Sequence, residues 1–333
     1  IAMIGADVLR DVKFTSTEML ASGFALATLR VEGGYTAAEL RKATPPLRAA
    51  ELGRAGYTPA QMKVGGYTAK HLKDAGYSPA QIKQGGFSVR QLKQVGFGAE
   101  ELKANGCTAL ELREGAFTAK ELKPLGYPVD TLRQAGYPAK ELRPLGYPLA
   151  EMRDGGYGAS DVKLAGFGAS DMRAVGYSAT ELKAAGSSPS EMRIAGYSAT
   201  EMREAGFSAK KVRAAGYAAG EACEASWTLE VLKEAGFDAS ELRQARRTAA
   251  ELLHVGFELH ALKAAGFSTQ ELQEIGFGAE ELRAAGTKLS ELTLAGATVP
   301  DLRAAGISAI GLKAEGVPYT YTYTYTYTSR RSA

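Results

Sequence analysis

The sequence of 333 residues contains 40 lysines and arginines against 37 aspartates and glutamates, which gives a formal net charge of +3. This balance argues against a dedicated nucleic-acid-binding protein, because such proteins usually carry a strongly basic domain. No apolar run approaches the ~20 residues of a membrane-spanning helix. Cys107 and Cys223 are too few and too far apart in sequence to indicate a disulfide framework.

Residues 1–50 indicate an irregular ten-residue repeat. Met19 and Leu29 are ten apart, but Leu40 follows after eleven residues and Leu52 after a further twelve. The first four residues fit the register as the end of a unit. We therefore expect this segment to belong to an array that is cut at its start rather than closed by a dedicated cap.

From residue 51 to about 318 the period is ten, without insertion or deletion. Numbering each unit from its acidic residue gives the consensus E-L-K-x-A-G-Y-S-A-x, so the position of a residue is the last digit of its number, with zero meaning position 10. Among 27 units, position 2 is Leu, Met, Ile or Val in 26, position 3 is Lys or Arg in 22, position 6 is Gly in 24 and position 7 is aromatic in 20. Such regular columns predict that all units share one structure.

Each unit is predicted to be one short helix and one turn. Ser or Thr at position 8 is a good N-cap, and the Glu three residues later completes a capping box, with the ring at position 7 and the Leu at position 2 as its hydrophobic staple. Gly at position 6 supplies the left-handed residue that ends the helix. The box recurs at Ser178 and Glu181, at Ser198 and Glu201, and at Thr118 and Glu121.

Prolines indicate the limits of the helix. Pro59, Pro79 and Pro189 fall at its first position, where the missing N–H costs nothing. Pro124 and Pro144 at position 4 would break a longer helix. We predict a helix of about seven residues, from position 9 to position 5, which is too short to be stable alone. Its apolar face, positions 9, 2 and 5 with the ring beside them, must therefore pack against other units.

The pattern resembles the α-solenoid class, here built from decapeptide short-helix repeats, over nearly the whole chain. The resemblance implies an all-α fold, a right- or left-handed α-solenoid of about 31 ten-residue units, each one short helix plus a Gly-aromatic turn. The number of units per superhelical turn stays open. Three per turn, a triangular coil, is attractive because a Gly corner changes direction sharply.

No catalytic, metal or cofactor site is predicted. His71, His254 and His260 stand at positions 1, 4 and 10, so they share no column and are interpreted as surface histidines. Cys107 replaces an aromatic residue and is expected to be a buried thiol, whereas Cys223 replaces a basic residue and is expected at the surface. The glycines recur once per helix end rather than in a phosphate-binding cluster. An enzyme is therefore not expected.

The column of Lys and Arg at position 3 has two interpretations. It could form a track for a polyanion such as nucleic acid, acidic polysaccharide or anionic lipid. Alternatively, it is a solvated face that balances the acidic column and the helix dipoles. We favour the second interpretation because the net charge is small and acids run parallel to the bases.

Departures from the consensus are candidate partner contacts. Arg246 and Arg247 replace both the Gly and the ring of one unit, Ser187 also replaces a ring, and Trp227 is the only tryptophan. From Thr287 onward the aromatic column fades, as expected near the end of an array.

A low-complexity tail occupies residues 319–333. Its Tyr-Thr alternation would place all rings on one face of an extended strand, and we expect this face to contact a partner. The tail tyrosines proposed as contacts are Tyr319, Tyr321, Tyr323, Tyr325 and Tyr327.

The sequence therefore predicts irregular repeats in residues 1–50, a regular solenoid in 51–318 and the tail in 319–333. The favoured function is a non-catalytic structural scaffold or linker subunit that binds other protein subunits of a large assembly. The alternatives are a self-associating fibre or cell-surface protein, and binding of an anionic surface through the Lys/Arg column.

Overall fold

The computed structural model describes residues 5–314, and within this range the chain forms helices and turns with no strand. Two compact units, Ile1–Phe167 and Gly168–Ala333, are described separately. The all-helical fold predicted from the ten-residue period is confirmed. The division at residues 50 and 318 stays a prediction, and the tail lies outside the described residues.

From residue 5 onward the first unit contains sixteen α-helices, and two of them, α12 and α14, continue into short 3₁₀ turns. Their bounds are α1 Ala6–Asp11, α2 Ser16–Ala21, α3 Leu26–Val31, α4 Ala37–Arg41, α5 Ala49–Arg54, α6 Pro59–Val64, α7 Ala69–Asp74, α8 Pro79–Gln84, α9 Val89–Gln94, α10 Ala99–Ala104, α11 Ala109–Glu114, α12 Ala119–Leu122, α13 Val129–Gln134, α14 Ala139–Leu142, α15 Leu149–Asp154 and α16 Ala159–Leu164, with 3₁₀ turns at Lys123–Leu125 and Arg143–Leu145.

The second unit contains fifteen helices within the described residues, all of six residues. Their bounds are α17 Ala169–Ala174, α18 Ala179–Ala184, α19 Pro189–Ile194, α20 Ala199–Glu204, α21 Ala209–Ala214, α22 Ala219–Glu224, α23 Leu229–Glu234, α24 Ala239–Gln244, α25 Ala249–His254, α26 Leu259–Ala264, α27 Thr269–Glu274, α28 Ala279–Ala284, α29 Leu289–Leu294, α30 Val299–Ala304 and α31 Ala309–Ala314. The helices therefore run from position 9 to position 4, one residue shorter than predicted.

Local hydrogen bonds at both helix ends explain this length. At the start of α18, the Ser178 N–H donates to Glu181 Oε2 at 2.7 Å and the Glu181 N–H donates to Ser178 Oγ at 3.3 Å, which is the predicted capping box. At the end of α5, Gly56 has φ +84° and its N–H donates to the Gly53 carbonyl, while the Tyr57 N–H donates to the Leu52 carbonyl. This pair of bonds is a Schellman motif, so the chain leaves the helix at position 5.

The proline predictions are also confirmed. Pro59, Pro79 and Pro189 occupy the N-terminal turn of α6, α8 and α19. Pro124 and Pro144 end their α-helices early, and the chain completes each turn as a 3₁₀ segment. A proline at position 4 therefore changes the last turn without changing the ten-residue period.

Each helix packs on the helix two repeats further along the chain, as well as on the helix of the adjacent repeat. In the first unit α9 packs on α11 and α11 on α13, and in the second unit α20 packs on α22 and α22 on α24. Two repeats, or 20 residues, therefore make one turn of the coil. The triangular coil with three repeats per turn is wrong, because helices that stack on each other are two repeats apart and not three.

The core of each of the two compact units is formed by the apolar positions that the repeat predicts. The side chain at position 2 is fully buried in almost every repeat, from Leu52 to Leu302, both of which are 0% exposed. Alanines at position 9 and rings at position 7 surround it, as at Ala119 and Tyr137. The irregular first repeats share this core, since Met19, Leu29 and Leu40 are also buried.

Candidate interaction surface

Tyrosine hydroxyls at position 7 connect successive turns of the coil. Tyr137 Oη donates to the Phe117 carbonyl oxygen at 2.8 Å, and Tyr217 Oη donates to that of Tyr197 at 2.6 Å. In these regular repeats the acceptor is the backbone carbonyl of the position-7 residue 20 residues earlier, whereas Tyr57 Oη donates to that of Tyr35, 22 residues earlier. These hydroxyls are buried, and burial raises the pKa of Tyr137 to about 12. The rings thus contribute both apolar area and a satisfied polar group to the interior.

A base at position 3 contacts the repeat that lies two repeats later in the chain. Lys73 Nζ donates to the Val95 carbonyl oxygen at 2.9 Å, and Arg133 Nε donates to that of Gly155 at 2.7 Å. Each acceptor lies at position 5, at the end of a helix, where carbonyl groups lack intrahelical partners. The same bond joins Lys103 to Leu125, Lys183 to Ala205, Arg203 to Ala225, Arg243 to Ala265, Lys263 to Ala285 and Arg283 to Ala305.

The same bases also contact the ring and the acid of that repeat. Lys93 Nζ lies 4.1 Å from the centroid of the Phe117 ring and 2.9 Å from Glu121 Oε1. The hydrogen bond from Lys83 lowers the pKa of the Glu111 carboxyl below its usual value. Partly exposed ion pairs contribute little individually, about 0.2–1 kcal/mol each. The basic column thus contacts the acids and the helix-end carbonyls of the chain itself, as expected from a face that balances the acidic column and the helix dipoles, and many of its side chains stay exposed.

Because one turn of the coil contains 20 residues, the position-7 residues form two rows along each of the two compact units. Row 1 consists of residues 57, 77 and so on in steps of 20, and row 2 consists of residues 67, 87 and so on. Row 1 is Tyr or Phe at every place from 57 to 277. The residues before 290 that are neither Tyr nor Phe all belong to row 2, namely Cys107, Ser187, Trp227, Arg247 and Thr287.

Cys223 and Arg247 exchange the usual roles of base and ring. A position-3 base normally lies over the ring 24 residues later, but here a thiol stands at position 3 and the guanidinium replaces the ring. The hydrogen bond with the Cys223 thiol raises the pKa of Arg247, and Arg247 Nη1 lies 3.5 Å from Glu251 Oε1. The cation thus keeps its approximate place although it comes from the other residue. Cys223 is half-buried rather than fully at the surface, and Cys107 is buried as predicted.

Trp227 occupies the place before Arg247 in row 2. Its indole is half-buried and packs against the core of the second unit. The turns beside these two residues lack glycine, and Ser226 and Arg246 both adopt φ of +61°. A side chain in this left-handed region costs about 1–2 kcal/mol. The structure therefore brings Trp227, Arg246 and Arg247, three of the candidate contacts, to adjacent turns of one row.

A family comparison accounts for most of the chain. A model described as the decapeptide repeat region matches residues 4–78, 34–107, 66–139, 126–199, 176–248, 196–269 and 246–319. The chain belongs to this decapeptide repeat family. A search of curated proteins finds no match. The family description agrees with the ten-residue unit and adds no activity.

The histidines of this decapeptide repeat protein form no common site. His71 replaces the Glu of a capping box, and its Nδ1 accepts a hydrogen bond from the Thr68 N–H at 3.0 Å. His260 is exposed and lies 3.2 Å from Glu258. Among residues 5–314, no group of three or more His, Cys, Asp or Glu is placed to hold a metal ion. No helix in the same range has the length and hydropathy to cross a membrane.

The remaining candidate contacts of the decapeptide repeat protein are the tail tyrosines. Tyr319, Tyr321, Tyr323, Tyr325 and Tyr327 lie outside the described residues. Their role as partner contacts stays a prediction.

Proposed function

We propose that the protein is a non-catalytic scaffold or linker subunit that binds other proteins within a large assembly. The observation that carries this proposal is that some positions of the repeat are constant and form the fold, while others are exposed and variable. Positions 2, 3, 6, 7 and 8 serve the fold, whereas positions 4 and 10 are exposed and vary freely. At position 4, Val64, Ile194 and Leu294 are 87%, 83% and 88% exposed. A constant framework with a variable surface suits protein recognition, as in other repeat proteins.

Grooves between stacked helices support the same proposal. The groove between α4 and α6 has a volume of about 520 Å³ and is lined in part by Tyr35, Tyr57, Gln61 and Val64. A groove of about 510 Å³ lies between α5 and α7. Such shallow, mixed surfaces fit side chains of a protein partner better than a small substrate, which usually requires a more enclosed pocket.

Native isolation combined with cross-linking tests the proposal. The chain should co-purify with other proteins at fixed stoichiometry, and amine cross-links should join those proteins to exposed position-10 lysines such as Lys120, Lys140 and Lys210. Position-3 lysines such as Lys73, which are engaged within the chain, are the matched control and should react less. Recovery of the chain alone at its own mass of 35.1 kDa would contradict the proposal.

The two alternatives give different results in the purified protein. A fibre-forming protein would polymerise without a partner, which light scattering detects. A polyanion-binding protein would bind heparin with a steep salt dependence. The intrachain contacts of the position-3 bases count against the second alternative.

A further inference from the structure

In the second unit, two position-3 cations on adjacent turns of row 2, Lys183 and Arg203, both lack an acid 28 residues later. At most other position-3 bases an acid follows after 28 residues, as in the pair of Arg213 with Glu241, whose side chains lie 3.1 Å apart. Lys63, Lys103, Lys233 and Arg283 lack it too, but no two of these lie on adjacent turns of one row. The acid expected after Lys183 is replaced by Lys211, and the acid expected after Arg203 is replaced by Val231. Both replacements lie along row 2, on adjacent turns of the coil.

These two cations are nevertheless held in place by the backbone. Lys183 Nζ donates to the Ala205 carbonyl oxygen at 2.7 Å, and Arg203 Nη1 donates to that of Ala225 at 3.1 Å. Neither base forms an ion pair in the part of the chain that the structure describes. Their remaining N–H groups are therefore positioned donors whose usual carboxylate acceptor is missing.

An aromatic residue and an apolar residue lie between and beside these cations. Trp227 is half-buried in row 2 on the same turn as Val231, which is 38% exposed. Arg246, on the next turn, is exposed and is fixed in the left-handed conformation. We call this surface the Trp227 patch and define it by Lys183, Arg203, Lys211, Trp227, Val231 and Arg246.

The nearby acids do not replace the missing carboxylates. Glu204 and Glu224 stand at position 4, at the exposed ends of their helices. Glu230 hydrogen-bonds its own backbone N–H and the Thr228 side chain at the start of α23, which lowers its pKa. The patch therefore keeps two places, at residues 211 and 231, where a carboxylate from outside the chain can meet a held cation.

We propose that the Trp227 patch docks an extended acidic segment of a partner protein, an inference that rests on the proposed scaffold function. Two carboxylates of the segment occupy the places left by Lys211 and Val231. Packed helices are about 8–10 Å apart, and a segment in the polyproline II conformation advances about 3.1 Å per residue with three residues per turn, so its side chains three residues apart point the same way. The two acids are therefore three residues apart, and an apolar side chain between them packs on Trp227. Aromatic and Arg anchors of this kind often dominate protein interfaces.

The experiment uses the full chain and its single tryptophan as the reporter. The probe is a synthetic peptide of repeated Glu-Leu-Gly triplets, and the matched probe has Gln in place of Glu. The Glu peptide should shift the Trp227 emission in a saturable manner that weakens with added salt, and the Gln peptide should not. Absence of saturable binding by the Glu peptide, or equal binding of both peptides, would overturn the proposal.

A consensus-restoring variant keeps the test independent of folding. The double variant Lys211→Glu, Val231→Glu gives both cations their usual partners and should weaken peptide binding about tenfold or more, because the places are then filled from within the chain. Lys140→Glu, a position-10 substitution in the first unit with the same charge change as Lys211→Glu alone, should leave binding unchanged. Unaltered affinity in the double variant would refute the assigned surface.

The outcomes also separate this inference from the scaffold proposal. Native protein partners together with no peptide binding would overturn the patch alone. Peptide binding by a chain that is isolated from its source as a monomer would support the patch and overturn the scaffold. Heparin fragments that compete as well as the Glu peptide would replace the protein segment by a polyanion as the occupant.

Discussion

At the residue scale, the tyrosine of position 7 connects neighbouring turns in a way that phenylalanine cannot. In row 1 of the first unit, Tyr137 donates to the carbonyl of Phe117, and Tyr157 donates in turn to the carbonyl of Tyr137. A carbonyl left unpaired in the interior costs about 1–3 kcal/mol. Where the donor is absent, as at Phe117 and Phe97, the ring still fills the core but adds no bond to the preceding turn.

We expect Tyr137→Phe to lower the free energy of unfolding by about 1 kcal/mol at neutral pH, since it removes one buried hydrogen bond. It should also reduce the alkaline loss of stability. The pKa of Tyr137 is raised to about 12 in the folded chain, whereas the unfolded side chain ionises near its ordinary value of about 10. The stabilisation is therefore complete below pH ~10 and is lost as the pH rises towards 12.

Urea unfolding followed between neutral and alkaline pH measures both effects. Tyr77→Phe is the control, because the Tyr77 hydroxyl makes no hydrogen bond within residues 5–314, although burial also raises its pKa. It should cost less at neutral pH. An alkaline profile of Tyr137→Phe identical to that of the parent protein would contradict the assignment of buried tyrosines as the cause.

The Cys223 and Arg247 pair gives a second prediction at this scale. The double variant Cys223→Lys, Arg247→Phe restores the consensus base and ring, so it should be at least as stable as the parent protein. Cys223→Lys alone should be destabilising, because it places a second cation against Arg247 and like charges repel. A double-mutant cycle measured by urea unfolding should give a coupling of about 0.5–3 kcal/mol. Additive effects of the two substitutions would show that the side chains do not interact.

At the scale of the element, each six-residue helix depends on its caps and on the turn that stacks against it. The residue at position 5 packs closely against the residue at position 9 of the helix two repeats earlier. A Cβ on Gly115 would lie 2.6 Å from Val89 Cγ1, and a Cβ on Gly85 would lie 2.6 Å from Pro59 Cβ. Most repeats have Ala at both positions, so a larger residue at position 9 is accommodated here by glycine at position 5.

Gly115→Ala should therefore destabilise the first unit by about 1–3 kcal/mol through overpacking. The backbone itself would accept alanine, since φ at Gly115 is −70°, so the effect isolates packing. Val89→Ala should rescue the variant in the double substitution. Gly220→Ala is the matched control, because nothing lies within 4 Å of its added Cβ, and there the helix should gain about 0.5–1 kcal/mol. Thermal and urea unfolding measure all four proteins.

The extent to which the sequence predicts these elements follows from the range of each contact. The capping box of Ser178 and Glu181 spans three residues, and the glycine of the turn acts within its own unit, so both are predictable locally. The contact of Lys73 with the carbonyl of Val95 spans 22 residues and ends on a backbone oxygen, which any residue supplies. No side-chain pattern therefore reveals it. One feature of the sequence does indicate the two-repeat coil. Before residue 290, the position-7 residues that are neither Tyr nor Phe occur only in every second repeat.

At the scale of the molecule, a coil of two repeats gives each helix only close neighbours in sequence. Within the second unit, α24 packs on α22 and on α26, and the fully buried Leu242 lies at its centre. Stability in such an array is approximately a sum of local and nearest-neighbour terms. Disruption of one repeat therefore weakens the repeats on both sides of it, and among the described helices a disruption in α31 can reach only those that precede it.

Leu242→Asp should accordingly cost several kcal/mol, because the charge replaces a side chain that is 0% exposed and has no buried partner. Hydrogen exchange should increase first in α22, α24 and α26 and should spread to helices on both sides. Leu312→Asp, in α31, should raise exchange only in the last helices and leave α22 protected. Gln244→Asp places the same charge on an exposed position of α24 and should cost less than about 0.5 kcal/mol. Equal and uniform loss of protection in the two leucine variants would mean that the second unit folds around one cooperative core, and the nearest-neighbour description would then be wrong.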